Sequence, residues 1–343
     1  MWRWFIIIYP SFIKKGQTIG ITAPSNGISK EIDIKRLNLA IKRFNDLGYN
    51  IYETKNVRTS YFGQSSDEKS QAEEVNKLFE NKEISSIFCV SGGDFMCKIM
   101  PYIDFDIISN NPKWFLGYSD PTWLTYVITT KLDIATMYSN NFKSFSMNPL
   151  HTSLKNNIKL LKGVMVKQTS FERYESSRVN YASGDEGYIL DKKVKYKEIT
   201  NKDNVNIKGR IIGGCLDIIS EIFGTKYDYT KDFITRYKDD GIIWYFDNCE
   251  FTCEQVIRTL YRFKDNGYFK NTNGIIFGRS LTVTSIYDFS FESAVKSVLC
   301  DLKIPIILDV DIGHIPPRFT IINGSIAEFS LQNGKGSISY ELK

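Results

Sequence analysis

One stretch, Trp114 to Lys131, limits the fold of this chain more than any other, because its pattern is that of a strand turning directly into a helix. Its first half, WFLGY, is a short apolar and aromatic run typical of a buried strand. Its second half has apolar residues at the spacing of an amphipathic helix: Trp123, Leu124, Val127 and Ile128. A strand that leads straight into a helix is the building unit of α/β folds.

Ser119 lies at the turn between this strand and this helix. Asp120 can cap the helix, and Pro121 suits its first turn, where a missing N–H costs nothing. The Ser119 hydroxyl is then close to free backbone N–H groups and to the positive end of the helix dipole. A strand–turn–helix elbow is one way to present a nucleophile. The alternative interpretation is that Ser119 and Asp120 only cap the helix.

Strand and helix patterns alternate through the first part of the chain. The strand patterns are IGITAP at 19–24, YNIYET at 49–54 and SSIFCV at 85–90. Helical stripes separate them, one ending at Gly48 and one preceded by a possible capping box of Ser65 and Glu68. This alternation predicts a parallel sheet with helices on both faces, in an N-terminal α/β domain at residues 1–165.

A polar, charged stretch at 166–207 interrupts the alternation and is predicted to connect two domains with irregular strands. Residues 208–343 form the second domain, predicted as mixed α/β. Its patterns are a helix in GGCLDIISEIFGT, strands in GIIWYFDN, GIIFG and IPIILDVDIGH, a helix near 291–302 and a capping box of Thr252 and Gln255. Two closing strands have Asn-Gly turn signals at 323–324 and 333–334.

Composition excludes several classes of partner. The net charge of +5 is mild and the Lys residues are dispersed, so nucleic acid is not an expected partner. The six Cys form no C-x-x-C pair, and with two His in the chain a Cys/His zinc site is not expected. The apolar run in MWRWFIIIYP is too short to span a bilayer, so no membrane contact is expected, and we interpret the segment as an extra strand or a leader. Free Cys in apolar runs fit a reducing, cytoplasmic compartment.

Three strand ends carry residues that could take part in catalysis. Ser119 is at the elbow, Gly92-Gly93 ends a strand where backbone N–H groups can turn toward a bound oxygen, and His314 follows an apolar strand. A hydroxyl nucleophile needs a base such as His, and His151 is in a polar loop that we expect to be solvated. The base in turn needs a carboxylate to hold its tautomer. The candidates are Asp247 and Glu250, at the end of GIIWYFDNCE.

Six motifs, in order, resemble the LD-carboxypeptidase family of serine peptidases, which includes the microcin C immunity peptidases. They are ITAPS at 21–25, SGGD at 91–94, GYSDPT at 117–122, GGCLDII–GT at 213–225, the acidic strand end at 247 and DIGHIPP at 311–317. The resemblance runs from about residue 10 to the C-terminus. The polar connection and the GGCLD motif are similar to the immunity branch.

The resemblance implies an N-terminal domain that carries the nucleophile and a C-terminal domain that carries the acid and base of a Ser–His–Glu triad, with no metal or other cofactor. The family's nucleophile falls on Ser119 and its histidine on His314. The backbone N–H groups of Gly93, Asp94 and Asp120 would form the oxyanion hole. The implied substrates are murein tetrapeptides, cleaved before a C-terminal D-alanine, or aminoacyl-adenylate-like toxins, cleaved at an acyl–nitrogen bond. A homodimer is expected.

This chain departs from the family pattern at the triad acid. The family has Glu directly after the apolar strand, whereas this chain has Asp247 there and Glu250 three residues later. Counting back from Arg258 without a gap favours Asp247, and a residue at a strand end is held more rigidly than one in a turn. Glu250 remains the alternative. The alternative function is a non-catalytic, two-domain protein that binds a small molecule between its domains.

Overall fold

The structure, a computed structural model, describes residues 6–176 and 179–343. The elements of its first half are β1 (Thr18–Thr22), α1 (Glu31–Asp46), β2 (Asn50–Glu53), α2 (Glu68–Glu80), β3 (Ile84–Cys89), α3 (Phe105–Asn110), β4 (Trp114–Gly117), α4 (Thr122–Leu132), β5 (Thr136–Tyr138) and α5 (Thr152–Leu161). Short 3₁₀ helices lie at Lys55–Arg58, Met96–Tyr102 and Phe142–Ser146.

The elements of the second half are β6 (Gln168–Thr169), β7 (Arg173–Glu175), β8 (Leu190–Lys193), β9 (Lys197–Glu198), β10 (Asn204–Cys215), α6 (Leu216–Ile222), α7 (Thr230–Arg236), β11 (Ile242–Asp247), α8 (Cys253–Asp265), β12 (Thr272–Gly278), α9 (Phe291–Leu299), β13 (Ile306–Val310), β14 (Ile321–Asn323), β15 (Ile326–Gln332) and β16 (Lys335–Glu341). A 3₁₀ turn at Cys300–Leu302 follows α9.

The first sheet has the strand order β14-β5-β4-β3-β1-β2. Strands β2, β1, β3, β4 and β5 are parallel, which confirms the predicted parallel α/β domain. The second sheet has the order β6-β16-β15-β10-β11-β12-β13-β9, with β10 to β13 parallel and antiparallel strands at both sides. This mixture confirms the predicted fold class.

The stretch at 166–207 contributes to the second sheet. Its strands β6 and β9 form the two edges of that sheet, and β10 begins at Asn204, before the predicted start of the second domain. Its strands β7 and β8 pair with each other as a separate ribbon. The polar composition therefore reflects half-exposed edge strands and a ribbon, in addition to connecting loops.

The end of the chain differs from the predicted pair of strands. Asn333-Gly334 does form the turn of a hairpin, between β15 and β16. Asn323-Gly324 does not form a hairpin turn, because β14, which ends at Asn323, pairs antiparallel with β5 in the first sheet, whereas the following strand β15 belongs to the second sheet. The segment FTIINGSIAEF therefore supplies one strand to each sheet.

Helix α4 is buried on all sides, so the prediction of an amphipathic helix was wrong. Every residue from Thr122 to Thr130 is buried. The hydroxyl of Thr129 donates to the carbonyl of Thr125 at 3.1 Å, and that of Thr130 donates to the carbonyl of Tyr126 at 3.0 Å. Because these hydroxyls are satisfied inside the helix, polar residues can face the core.

The caps differ in part from expectation. Thr252 and Gln255 form the predicted capping box of α8. Ser65 and Glu68 do not form one at α2, because Asp67 is the cap and Ser65 is buried, donating to the carbonyl of Ala23 at 2.6 Å. Asp120 does not cap α4 either, since its carboxylate binds other partners, which are described with the site.

The N-terminal segment is described from Ile6 onward, and the first five residues of MWRWFIIIYP lie outside the described residues. Ile8 makes a parallel bridge with Ile134, which agrees with the interpretation of an extra strand for the part that is seen. Among the helices of residues 6–176 and 179–343, none is both long and apolar enough to cross a membrane.

Candidate active site

The carboxyl ends of the parallel strands of both sheets border one cavity of about 530 Å³. Ligands of α/β proteins bind at such strand ends. Gly92 and Gly93 follow β3, Ser119 follows β4, and His314 follows β13, and all four line the cavity. The sequence placed these residues at three strand ends, and the fold brings the three ends together.

Ser119 has a backbone φ of +71°, in the left-handed region that non-glycine residues rarely adopt. Such strain is a feature of a strand that turns sharply into a helix to expose a nucleophile. Gly92 packs directly behind it, because a Cβ on Gly92 would lie 3.0 Å from the Cβ of Ser119 and 3.2 Å from its Oγ. A side chain at position 92 would therefore displace the Ser119 hydroxyl.

Three side chains form a hydrogen-bonded row that joins the two sheets. The Oγ of Ser119 lies 3.0 Å from Nε2 of His314, and Nδ1 of His314 lies 2.8 Å from Oδ2 of Asp247. The backbone N–H of His314 also donates to Oδ1 of Asp247, at 3.1 Å. Both carboxylate oxygens of Asp247 thus fix the imidazole, one through its ring and one through its backbone.

The electrostatics of the pair agree with this geometry. Burial alone would lower the pKa of His314, but the charge and hydrogen bond of Asp247 outweigh it and hold that pKa well above its usual value. Burial alone would raise the pKa of Asp247, but the attraction to His314 holds it below its usual value. The carboxylate is therefore ionised, and it stabilises a proton on the imidazole.

Tyr138 and Gly313, which sequence reasoning missed, complete the surroundings of Asp247. The hydroxyl of Tyr138 donates to Oδ2 of Asp247 at 2.6 Å and accepts from the N–H of Ser119 at 3.4 Å. Gly313 has a φ of +92°, and a Cβ there would lie 1.9 Å from Oδ1 of Asp247. The DIG segment needs glycine so that the carboxylate can approach the backbone of His314 this closely.

Glu250, the other candidate acid, is not part of this row. It is exposed, and its backbone N–H donates to Oδ1 of Asp217 at 2.8 Å. The same carboxylate accepts from the N–H groups of Cys249 and Phe251. Asp217 of the GGCLD motif therefore holds the turn after β11, a role that the motif alone did not reveal.

Of the predicted oxyanion-hole residues, Asp120 directly follows Ser119 in the chain. Gly93 lines the cavity, whereas the side chain of Asp94 is exposed. Within residues 6–176 and 179–343, the N–H groups of Gly93, Asp94 and Asp120 donate to no backbone carbonyl.

The carboxylate of Asp120 is buried, binds the hydroxyl of Ser25 and accepts from the N–H of Met96 at 2.8 Å. Burial raises its pKa to about 6. This side chain therefore ties the turn after β3 to the residue after Ser119.

His151 lies apart from the row, at the N-cap of α5. It is half-buried rather than solvated as predicted, because its ring packs against Phe171 and Tyr188 at 5.3 and 5.2 Å. Burial lowers its pKa. Its Nδ1 accepts from the N–H of Ser153 at 3.2 Å, so its local role is to cap a helix.

Among the described residues, Cys215 forms a possible metal-ligating group with two members of the row. One potential ligand atom from each of Cys215, Asp247 and His314 falls within 4.8 Å of the others. The imidazole nitrogens already bind Asp247 and Ser119, and burial raises the pKa of the Cys215 thiol well above its usual value. A Cys that binds a metal ion must be a thiolate. Because the raised pKa keeps the Cys215 thiol protonated, these residues are better described as a hydrogen-bonded triad with a neutral thiol beside it.

Comparison with known proteins agrees with the fold and the motifs. The family profile described as the LD-carboxypeptidase N-terminal domain matches residues 19–139, and that of the LD-carboxypeptidase C-terminal domain matches residues 208–329. The microcin C7 self-immunity protein MccF of Escherichia coli is 25% identical, over 94% of this chain and 93% of its own. The probable murein peptide carboxypeptidase of Bacillus subtilis (strain 168) is 22% identical, over 93% and 90%.

Solved structures of similar proteins share the whole fold. The structure of MccF in complex with aspartyl sulfamoyl adenosine superposes with a TM-score of 0.80 at 23% identity, over 98% of this chain and 99% of that one. An MccF-like protein from Bacillus anthracis str. Ames gives a TM-score of 0.80 at 24% identity, over 98% and 100%. With both family domains matched in order over more than half of its length, this chain belongs to the LD-carboxypeptidase family of serine peptidases.

Proposed function

We propose that this protein is a serine-type carboxypeptidase in which Ser119 is the nucleophile, His314 the base and Asp247 the acid. The observation that carries the proposal is the continuous row of hydrogen bonds, 3.0 Å from Ser119 to His314 and 2.8 Å from His314 to Asp247. Acyl transfer to a serine requires a nucleophile, a base that contacts it and a carboxylate that orients the base, in this order.

The reaction follows from these positions. His314 Nε2 takes the proton of the Ser119 hydroxyl as its Oγ attacks the carbonyl carbon of the scissile bond. The N–H groups of Gly93, Asp94 and Asp120 stabilise the negative charge that develops on the carbonyl oxygen. His314 then passes the proton to the leaving nitrogen, the acyl group stays on Ser119, and water, activated by the same imidazole, releases it.

The substrate is proposed from the relatives. It is either a murein peptide, cleaved next to a C-terminal D-amino acid, or an aminoacyl-nucleotide analogue of the microcin C type, cleaved at its acyl–nitrogen bond. The names of the two relatives and the aspartyl sulfamoyl adenosine bound to MccF support these classes. We further propose a cytoplasmic homodimer that acts in peptidoglycan recycling or in microcin immunity.

The experiment that tests the function is incubation of the purified protein with a murein tetrapeptide and, separately, with aspartyl sulfamoyl adenosine, followed by mass spectrometry. We expect release of D-alanine from the first or of aspartate from the second, and loss of either product with the Ser119→Ala variant. Tight binding of one compound without any turnover would instead identify a non-catalytic binding protein.

We expect no metal to take part in the reaction. The proposed nucleophile is activated by His314 and Asp247 through hydrogen bonds, so removing metal ions leaves that path intact. Dialysis against a strong chelator should leave kcat/KM unchanged, measured against a mock-dialysed sample. A loss of activity that added zinc restores would instead place an ion at Cys215, Asp247 and His314, whose ligand atoms lie within 4.8 Å.

A further inference from the structure

Arg318, four residues after His314, is a buried cation in the wall of the catalytic cavity. Its side chain lines the cavity, yet the residue is only 5% exposed. Its guanidinium carbon lies 4.2 Å from the centroid of the Tyr118 ring, and Nη2 donates to the carbonyl of His314 at 3.3 Å. The charge is thus held beside the base by an aromatic face and a backbone oxygen.

This cation has no counter-ion among the described residues. No carboxylate of residues 6–176 and 179–343 lies within 4.0 Å of its guanidinium nitrogens, and its buried Nε has no hydrogen-bond acceptor there. A buried charge without a partner is costly, so proteins pair such groups or use them to bind a ligand. An arginine is always charged at physiological pH and cannot avoid the cost by losing its proton.

The other cations of the cavity do not share this feature. Lys143 and Arg36 both pair with Asp33, at 3.1 and 3.4 Å. The two acids in the wall are also engaged: Glu175 accepts from the N–H of Ile189 at 3.1 Å, and Glu186 accepts from backbone N–H groups of its own loop. Of the three cations in the wall, Arg318 is therefore the one without a carboxylate partner among the described residues.

A second buried polar side chain in the same wall has free hydrogen-bonding groups. Asn140, which follows β5, is 1% exposed and lines the cavity. Neither its Nδ2 nor its Oδ1 has a hydrogen-bond partner among the described residues. An amide buried in this way is expected to bind a ligand, since most buried polar atoms have a partner.

We propose that Arg318 is a specificity-determining residue that binds a carboxylate of the substrate, with Asn140 as an additional neutral donor in the same cavity. The guanidinium fork matches a carboxylate geometrically, and its N–H groups form the strong, charge-assisted class of hydrogen bond. The proposal rests on the proposed function. Two carboxylates have this chemistry, the terminal carboxylate of a murein peptide and the side-chain carboxylate of an acidic aminoacyl group.

The test measures binding, so that it does not depend on turnover. The Ser119→Ala protein is titrated by calorimetry with two pairs of compounds: a murein tetrapeptide and its C-terminal amide, and aspartyl and asparaginyl sulfamoyl adenosine. The same titrations are made with two further proteins, in which Arg318→Met or Arg318→Lys is combined with Ser119→Ala. Lys42→Met, on the exposed surface of α1, is the control for the loss of one positive charge.

We expect Arg318→Met to weaken binding of the carboxylate member of one pair on the order of 10- to 100-fold, and that of its amide counterpart by much less. Arg318→Lys should recover part of the affinity, and Lys42→Met should change nothing. The pair that responds identifies the carboxylate. If Arg318→Met does not fold, Asn140→Ala, which should also weaken the carboxylate member preferentially, takes its place.

Three outcomes would overturn the assignment. An equal loss for both members of each pair would mean that Arg318 does not recognise the carboxylate in which they differ. Unchanged affinities, or no binding of any of the four compounds, would mean that it binds no substrate carboxylate. Turnover by the wild-type protein is measured in parallel. Selective binding without turnover would refute the proposed function while leaving Arg318 as a carboxylate-binding residue.

Discussion

Replacing Ser119 by Ala is expected to lower kcat on the order of 10⁴-fold or more, the loss seen when a triad loses its nucleophile. The hydroxyl is 3.0 Å from His314 Nε2, and no other hydroxyl has this contact with the base among the described residues. His314→Ala should cause a loss of the same order, because without the base the hydroxyl keeps its proton. The double variant should be no worse than either single one, since the two groups act as a unit.

The measurement is kcat under substrate saturation, with circular dichroism to confirm folding. Ser144→Ala is a matched control, because Ser144 lines the same cavity but has no hydrogen bond to His314. Its kcat should be near that of the wild type. If Ser119→Ala retains near-normal turnover, or if Ser144→Ala is the variant that loses activity, Ser119 is not the nucleophile.

Asp247→Asn is expected to reduce kcat nearly as severely, by about 10⁴-fold, since an amide favours the wrong tautomer of the imidazole. In the structure Asp247 accepts from the ring and from the backbone N–H of His314, at 2.8 and 3.1 Å. Glu250→Gln should leave kcat nearly unchanged, because Glu250 is exposed and its backbone N–H binds Asp217 rather than His314. A severe loss in Glu250→Gln with activity kept in Asp247→Asn would reverse the assignment.

The pH dependence gives an independent test of the same pair. A base must be neutral to act, so kcat/KM falls as the pH falls through the pKa of His314. Burial alone would lower that pKa, but Asp247 raises it by more than burial lowers it. The acid limb of the wild-type profile should therefore have its midpoint above pH 6.5. In Asp247→Asn the stabilising charge is gone, so the residual activity should persist to lower pH. A midpoint that does not move would show that the carboxylate does not act on His314.

The elbow and the order of elements could be predicted because their signals are local. The apolar run, the Ser-Asp-Pro turn and the following helix are all contained in residues 114–131. Asp247 was favoured over Glu250 for a similar reason, since its place at the end of an apolar strand is visible in the sequence. In the structure β11 ends at Asp247, and the carboxylate lies 2.8 Å from Nδ1 of His314.

The supports of the site could not be predicted, because each acts across a large separation in sequence. Tyr138 reaches Asp247 from the other sheet, and Asp217 binds backbone groups more than 30 positions later. Asp120 was expected to cap a helix, yet its side chain holds the turn at Met96. Local propensity reports which residues can cap or turn, whereas the partner that a side chain finds depends on tertiary packing.

Strand β14 has a consequence for how the chain can be folded during its synthesis. It pairs with β5, so Ile321 lies opposite Tyr138, the residue that holds Asp247. The first sheet therefore lacks its final edge until residues 321–323, more than 180 positions after β5, have emerged from the ribosome. Because closing so distant a pairing is slow, the N-terminal half must wait with β5 uncovered for the C-terminal half to arrive. A nascent chain can thus hold Ser119 in place long before it can have an intact active site.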